Sequence, residues 1–172
     1  MPQTTIATTG TWTEKEIRQQ PASWLRSLNN IDNLRASIDS FLTPLLRKPD
    51  LRIVLTGAGT SAFIGDIIAP WLASHTRKNI TAIPTTDLVT NPMDYFSPAH
   101  PLLLVSFARS GNSPESVAAV ELANQFVPEC YHLSITCNEA GSLYQNAVDS
   151  DNACALLMPA ETHDRGFAMT SS

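Results

Sequence analysis

The chain has 172 residues, 43% of them hydrophobic and 16% charged, with 7 Gly and 12 Pro in no repeating order. That size suits one globular core, and the composition excludes collagen-like, low-complexity and disordered chains. A net charge of -5 leaves no general field to attract polyanions, so any anion must be held locally.

The opening segment, residues 1–10, is rich in Thr and poor in large apolar side chains, and reads as a flexible lead. It lacks the basic start and apolar stretch of a signal peptide, and no apolar run in the chain reaches the ~20 residues of a membrane span. The expected setting is cytoplasmic, with no membrane partner. Cys130, Cys137 and Cys154 form no C-x-x-C pair, and an odd number of cysteines is a poor disulfide framework, so buried free thiols are expected.

Residues 11–50 read as a helical arm. Thr13 and Glu16 have capping-box spacing. Pro21 then interrupts this first turn and suits the first position of a second helix. Trp24, Leu28, Ile31, Leu34, Ile38, Phe41 and Leu45 give that helix a one-faced apolar stripe. Its basic residues are matched by acidic ones and form no cluster, which argues against a nucleic-acid partner.

From Leu51 the pattern changes to short apolar runs separated by helical segments. Strands are expected at 51–55, 80–83, 102–107, 131–136 and 153–157, with helices at 62–74 and 113–126 and short turns near Asp87 and Ser142. Pro70 predicts a kink or early end in the first of these helices. Near-continuous apolarity in the first, third and fifth runs favours a parallel sheet covered on both faces.

Ligands of open α/β sheets gather at the carboxyl ends of the strands. The loops after strands one and three share a vocabulary there: Gly57-Ala58-Gly59-Thr60-Ser61-Ala62, and Ala108-Arg109-Ser110-Gly111-Asn112-Ser113-Pro114-Glu115-Ser116. Each combines glycine, hydroxyl side chains and a helix N-terminus whose unpaired N–H groups and dipole favour an anion. A plain strand-to-helix turn capped by Ser or Thr is the alternative for either loop taken alone. In the second loop, either Ser110 or Ser113 could cap the helix while the other turns into the cleft. Arg109 suits a phosphate or an ordinary ion pair. The two standard nucleotide loops do not fit: no Lys lies near the first loop, and G-A-G-T-S-A lacks the third glycine. His75, His100 and His132 have no paired metal-ligand spacing, so no metal is expected. Glu161 and His163 lie in a titratable cluster after the fifth strand and are weak candidates for catalysis, a solvated turn being the alternative.

T-G-A-G-T-S-A at 56–62 and S-F-A-R-S-G-N-S-P-E-S at 106–116 resemble the two signature loops of the sugar isomerase (SIS) domain family, within it the AgaS-type tagatose-6-phosphate ketose/aldose isomerases and galactosamine-6-phosphate deaminase/isomerases. The resemblance extends to the run P-A-E-T-H-D-R-G-F-A-M-T-S-S at 159–172. It implies phosphate contacts at Ser61, Ser110 and Ser113, with Gly59, Thr60, Gly111 and Asn112 shaping the cradle. Where glucosamine-6-phosphate synthase has S-x-S-G-E-T, Ala108 and Asn112 replace the first serine and the glutamate; Thr170-Ser171-Ser172 replaces its later T-K-A.

Family enzymes carry two SIS modules, with the catalytic glutamate and histidine in the second. The resemblance therefore implies that residues 51–172 are the first of two modules, in a truncated chain that is inactive alone. The expected architecture is a three-layer α/β sandwich with a five-stranded parallel sheet in flavodoxin-like order, preceded by the helical arm. The expected function is that of a cofactor-free hexose-6-phosphate isomerase or deaminase forming a homo-oligomer. A non-catalytic module sensing a sugar phosphate is the alternative.

Overall fold

The computed structural model describes residues 11–166 and 168–172; the expected flexible lead lies outside them. Helix α1 (Trp12–Leu46) starts two residues earlier than the proposed capping box implies. Thr11 is its N-cap, with Oγ1 accepting the Glu14 N–H at 3.2 Å. Glu14 pairs with Arg18 at 2.9 Å, and Glu16 is buried. The expected box at Thr13 and Glu16 is thus shifted by two residues.

Pro21 does not begin a new helix, since α1 runs straight through it. A proline removes one backbone donor from the ladder, but side chains on both sides of it are tied to distant backbone. Gln19 Nε2 donates to Glu161 O at 2.8 Å and Asn30 Nδ2 to Leu157 O at 2.6 Å. At a helical rise of about 1.5 Å per residue, α1 is about 50 Å long, longer than the sheet it packs on. Its apolar stripe therefore divides. Leu34, Ile38, Phe41 and Leu45 reach the core, whereas Trp24, Leu28 and Ile31 stay exposed.

The sheet comprises β1 (Arg52–Gly57), β2 (Asn79–Ala82), β3 (Leu102–Ala108), β4 (Cys130–Thr136) and β5 (Ala153–Leu157). All four pairings are parallel, in the order β2-β1-β3-β4-β5. This is the anticipated flavodoxin-like order. Alternate side chains go to opposite faces, as strand geometry requires. Ile53, Leu55, Leu103 and Val105 join α1 and α2 (Thr60–Thr76) in one core layer; Val54, Leu102 and Leu104 join α3 (Thr85–Thr90) and α5 (Pro114–Phe126) in the other. Burial of each large aliphatic side chain contributes ~1.5–3 kcal/mol.

The remaining elements are the short helices α4 (Pro92–Tyr95) and α6 (Ser142–Val148) and a 3₁₀ turn, Ala160–Thr162. Pro70 does not shorten α2, which continues to Thr76. Of the thiols, Cys130 and Cys137 are buried and Cys154 is half-buried, all unpaired.

Candidate functional site: a hydroxyl-lined cleft between two helix N-termini

β1 and β3 are adjacent, with Gly57 beside Phe107 at their carboxyl ends. The chain leaves β1 for α2 on one face and β3 for α5 on the other, so the two loops meet where the strand order reverses. Such a switch point leaves a crevice beyond the strand ends.

A cleft of about 160 Å³ occupies this place, lined by Ala58, Ser61, Phe107, Ala108, Arg109, Ser110, Ser113, Ser116 and Met169. Of the seven residues expected in a phosphate cradle, Ser61, Ser110 and Ser113 line it directly. Gly59, at φ 57°, is the N-cap of α2, and Thr60 is the first helical residue. Neither α2 nor α5 has a side-chain cap. Ser113 takes the N-cap position of α5, but its hydroxyl shares a 2.6 Å bond with Ser116 rather than turning onto the helix. Ser110 Oγ accepts the Asn112 N–H at 3.3 Å, which leaves its own proton available to a ligand. Ser116 was not anticipated as a cleft residue, although S-P-E-S places it one turn beyond Ser113.

Gly111 and Asn112 act from behind. Gly111 has φ 65°, a region that L side chains adopt with strain. A Cβ there would lie 3.2 Å from Thr136 Oγ1 and 3.4 Å from Gly141 Cα. Asn112 Oδ1 accepts both the backbone N–H of Ser142, at 2.8 Å, and its hydroxyl, at 3.0 Å. Asn138 Nδ2 donates to Ser110 O at 2.8 Å. The segment entering α6 thereby braces the second loop, and the Asn112 side chain engages that brace instead of the cleft.

Arg109 turns partly away from the crevice. Its Nη1 donates to Asp164 O at 2.9 Å and Gly166 O at 3.5 Å. Asp164 itself is buried, and its Oδ2 accepts the N–H groups of Thr170 and Ser171, both at 2.7 Å, and Ser172 at 3.2 Å. Burial pulls the Asp164 carboxyl upward, but the donors of Ser171, Thr170 and Ser172 outweigh it and hold the group below the usual carboxylate range. The sequence alone gave Asp164 no role beyond membership of a charged cluster.

Glu161 and His163 do not join the hydroxyl cleft. They line a separate cleft of about 480 Å³ beside Trp12, Lys15, Glu16, Gln19, Ala160 and Arg165. Glu161 is ion-paired with Arg26 of α1. Desolvation raises its carboxyl, yet its own backbone N–H and Arg26 prevail and lower it, so it is suited to remain a carboxylate rather than donate a proton. At the opposite end of the sheet, burial pushes the Cys130 thiol up to about 12 and lowers His132 to about 4. Both stay neutral at physiological pH. Among the described residues, no three His, Cys, Asp or Glu side chains gather as a metal site, and no helix is long and apolar enough to cross a membrane.

A family profile described as the SIS domain matches residues 45–172. The chain belongs to the SIS domain family. It is 82% identical over 166 residues to the D-galactosamine-6-phosphate deaminase AgaS of Escherichia coli, covering 96% of this chain and 43% of that protein. A deaminase of the same name from Shewanella sp. (strain ANA-3) is 51% identical, with 94% and 42% of the respective chains covered. Among solved structures, the tagatose-6-phosphate ketose/aldose isomerase from Escherichia coli superposes with a TM-score of 0.94 at 82% identity, over 95% of this chain and 44% of that one. This SIS chain thus spans less than half the length of the curated relatives it matches.

Proposed function

We propose that this chain is the phosphosugar-holding SIS half of a hexose-6-phosphate deaminase/isomerase, with galactosamine 6-phosphate as the substrate. The observation that carries this is the convergence of Ser61, Ser110 and Ser113 on one cleft between the uncapped N-termini of α2 and α5. Hydroxyl donors and two helix dipoles suit a phosphate dianion. The SIS relatives named as galactosamine-6-phosphate deaminases supply the sugar class.

With the phosphate anchored, the sugar extends out of the crevice. After ring opening, removal of the C2 proton gives an enolamine, proton delivery at C1 gives the imine, and hydrolysis of the imine releases ammonia; a hydroxy sugar would pass through an enediol. That proton transfer needs an acid and a base. The polar cleft side chains are hydroxyls and one arginine, none of them suited to be the base. We assign the base to the second SIS half of the longer protein, with residues 51–172 as the first module. No organic cofactor or metal enters this scheme.

The exposed apolar residues of α1 and α2 favour a homo-oligomer, and a sugar-phosphate substrate favours a cytoplasmic setting. In a calorimetric titration with galactosamine 6-phosphate, the chain is expected to bind, and Ser61→Ala with Ser110→Ala to weaken binding at least ~100-fold, two charge-assisted hydrogen bonds being lost. Unchanged affinity in the double variant refutes the cradle. An ammonia-release assay run alongside is expected to show no turnover by this chain. Binding without turnover by the longer protein as well would make it a sugar-phosphate sensor instead.

A further inference from the structure

Glu16 is an acidic side chain on α1, yet it is only 4% exposed. Its Oε1 accepts the backbone N–H groups of Arg165, at 2.6 Å, and Gly166, at 2.9 Å. Its Oε2 is buried without a partner among the described residues. Burying a carboxylate is costly, and leaving one of its oxygens unpaired adds to that cost. An apolar side chain would remove that cost but leave the Arg165 and Gly166 N–H groups without their acceptor.

Gly166 is fitted to the contact. A Cβ there would lie 2.5 Å from Glu16 Oε2 and 3.0 Å from Thr13 Oγ1. On its other side the same turn presents the carbonyls of Asp164 and Gly166 to Arg109 Nη1. Arg109 directly precedes Ser110, and it lines the hydroxyl cleft together with Met169. Gln19 strengthens the grip of α1, donating to Ser171 Oγ at 2.8 Å, and Gln20 donates to Thr170 O.

We propose that Glu16 is a positioning residue for the sugar-phosphate cleft: its carboxylate fixes the Arg165–Gly166 turn, and that turn fixes Arg109 and Met169 beside Ser61, Ser110 and Ser113. The ligand half of this statement rests on the phosphate reading given above; the mechanical half does not. Glu16 touches no cleft atom itself and acts through the backbone it holds.

The test uses the full chain in two measurements. The Met169 methyl and Arg109 side-chain N–H signals in NMR spectra report the cleft wall without ligand, and calorimetry with galactosamine 6-phosphate reports affinity. Glu16→Asp retains the charge but withdraws the oxygens, and Glu16→Ala removes them. Both are expected to move the Arg109 and Met169 signals and to weaken binding about tenfold. Glu16→Gln, which keeps an acceptor oxygen at full length, is expected to restore most of both. Should Glu16→Ala not fold, the Asp and Gln variants decide. Arg109 and Met169 signals in Glu16→Asp that coincide with those of the parent overturn the proposal, as does a Gln variant no better than Asp. If the parent binds no sugar phosphate, the phosphate reading falls, while the NMR comparison still decides whether Glu16 sets the wall.

Discussion

The Asp164 carboxylate gathers three successive backbone N–H groups, those of Thr170, Ser171 and Ser172, and the hydroxyl of Ser171. Hydrogen bonds to a charged acceptor are worth more than neutral ones. Asp164→Asn keeps the shape but loses the charge and one acceptor, and is expected to cost ~1–3 kcal/mol in a urea denaturation experiment. The pH dependence follows from the lowered carboxyl. A group depressed in the folded state contributes stability above its unfolded value, and that contribution is lost as pH falls through the folded value. The parent is therefore expected to lose stability below about pH 4 more steeply than Asp164→Asn. Parallel acid titrations, followed by far-UV circular dichroism, provide the check.

At the scale of elements, α1 carries a proline where its sequence suggested a helix start. Pro21 lies within the helix, forfeits one ladder bond and crowds the preceding turn. Pro21→Ala is expected to stabilise the chain by ~1–2 kcal/mol, part of the helix gain being offset by a freer unfolded chain; the urea midpoint measures it. The strands were readable because runs such as Leu102–Phe107 are apolar on both faces, and the two serine-glycine loops because helix starts after strands have a characteristic vocabulary. Periodicity showed which side of α1 is apolar but not how far its partner surface extends within the sheet, and the Trp24, Leu28 and Ile31 part of the stripe is exposed. The cleft was legible in Ser61, Ser110 and Ser113, which lie in two short loops that follow strands and share the same glycine and hydroxyl vocabulary. Glu16 was not, because its contacts reach across about 150 residues, and Asp164 was not, because its bonds to residues six to eight positions on depend on an irregular turn that no helix or strand period encodes.

For the whole molecule, the exposed side chains Phe63, Ile67 and Trp71 recur every four residues along α2, a stripe on one helix face. An uncovered apolar stripe favours association. Ile67→Glu with Trp71→Glu is expected to shift the chain toward monomer in sedimentation velocity, while the urea midpoint changes little because neither residue is in the core. A parent chain that is already monomeric at high concentration would rule out self-association through this face. The relatives at 82% and 51% identity are each more than twice as long as their matched regions, so the same stripe deserves comparison in the longer protein.

The bond from Gly166 to Glu16 joins residues 150 positions apart, and it orders events during synthesis. Helix α1 emerges well before the sheet, already bearing the carboxylate that must be buried, whereas the turn that receives it is made 150 residues later. At translation rates of ~5–20 residues per second, that carboxylate waits on the order of ten seconds for its partner. The sheet can assemble in that interval, but the cleft wall set by Arg109 and Met169 cannot be finished before the chain reaches the turn.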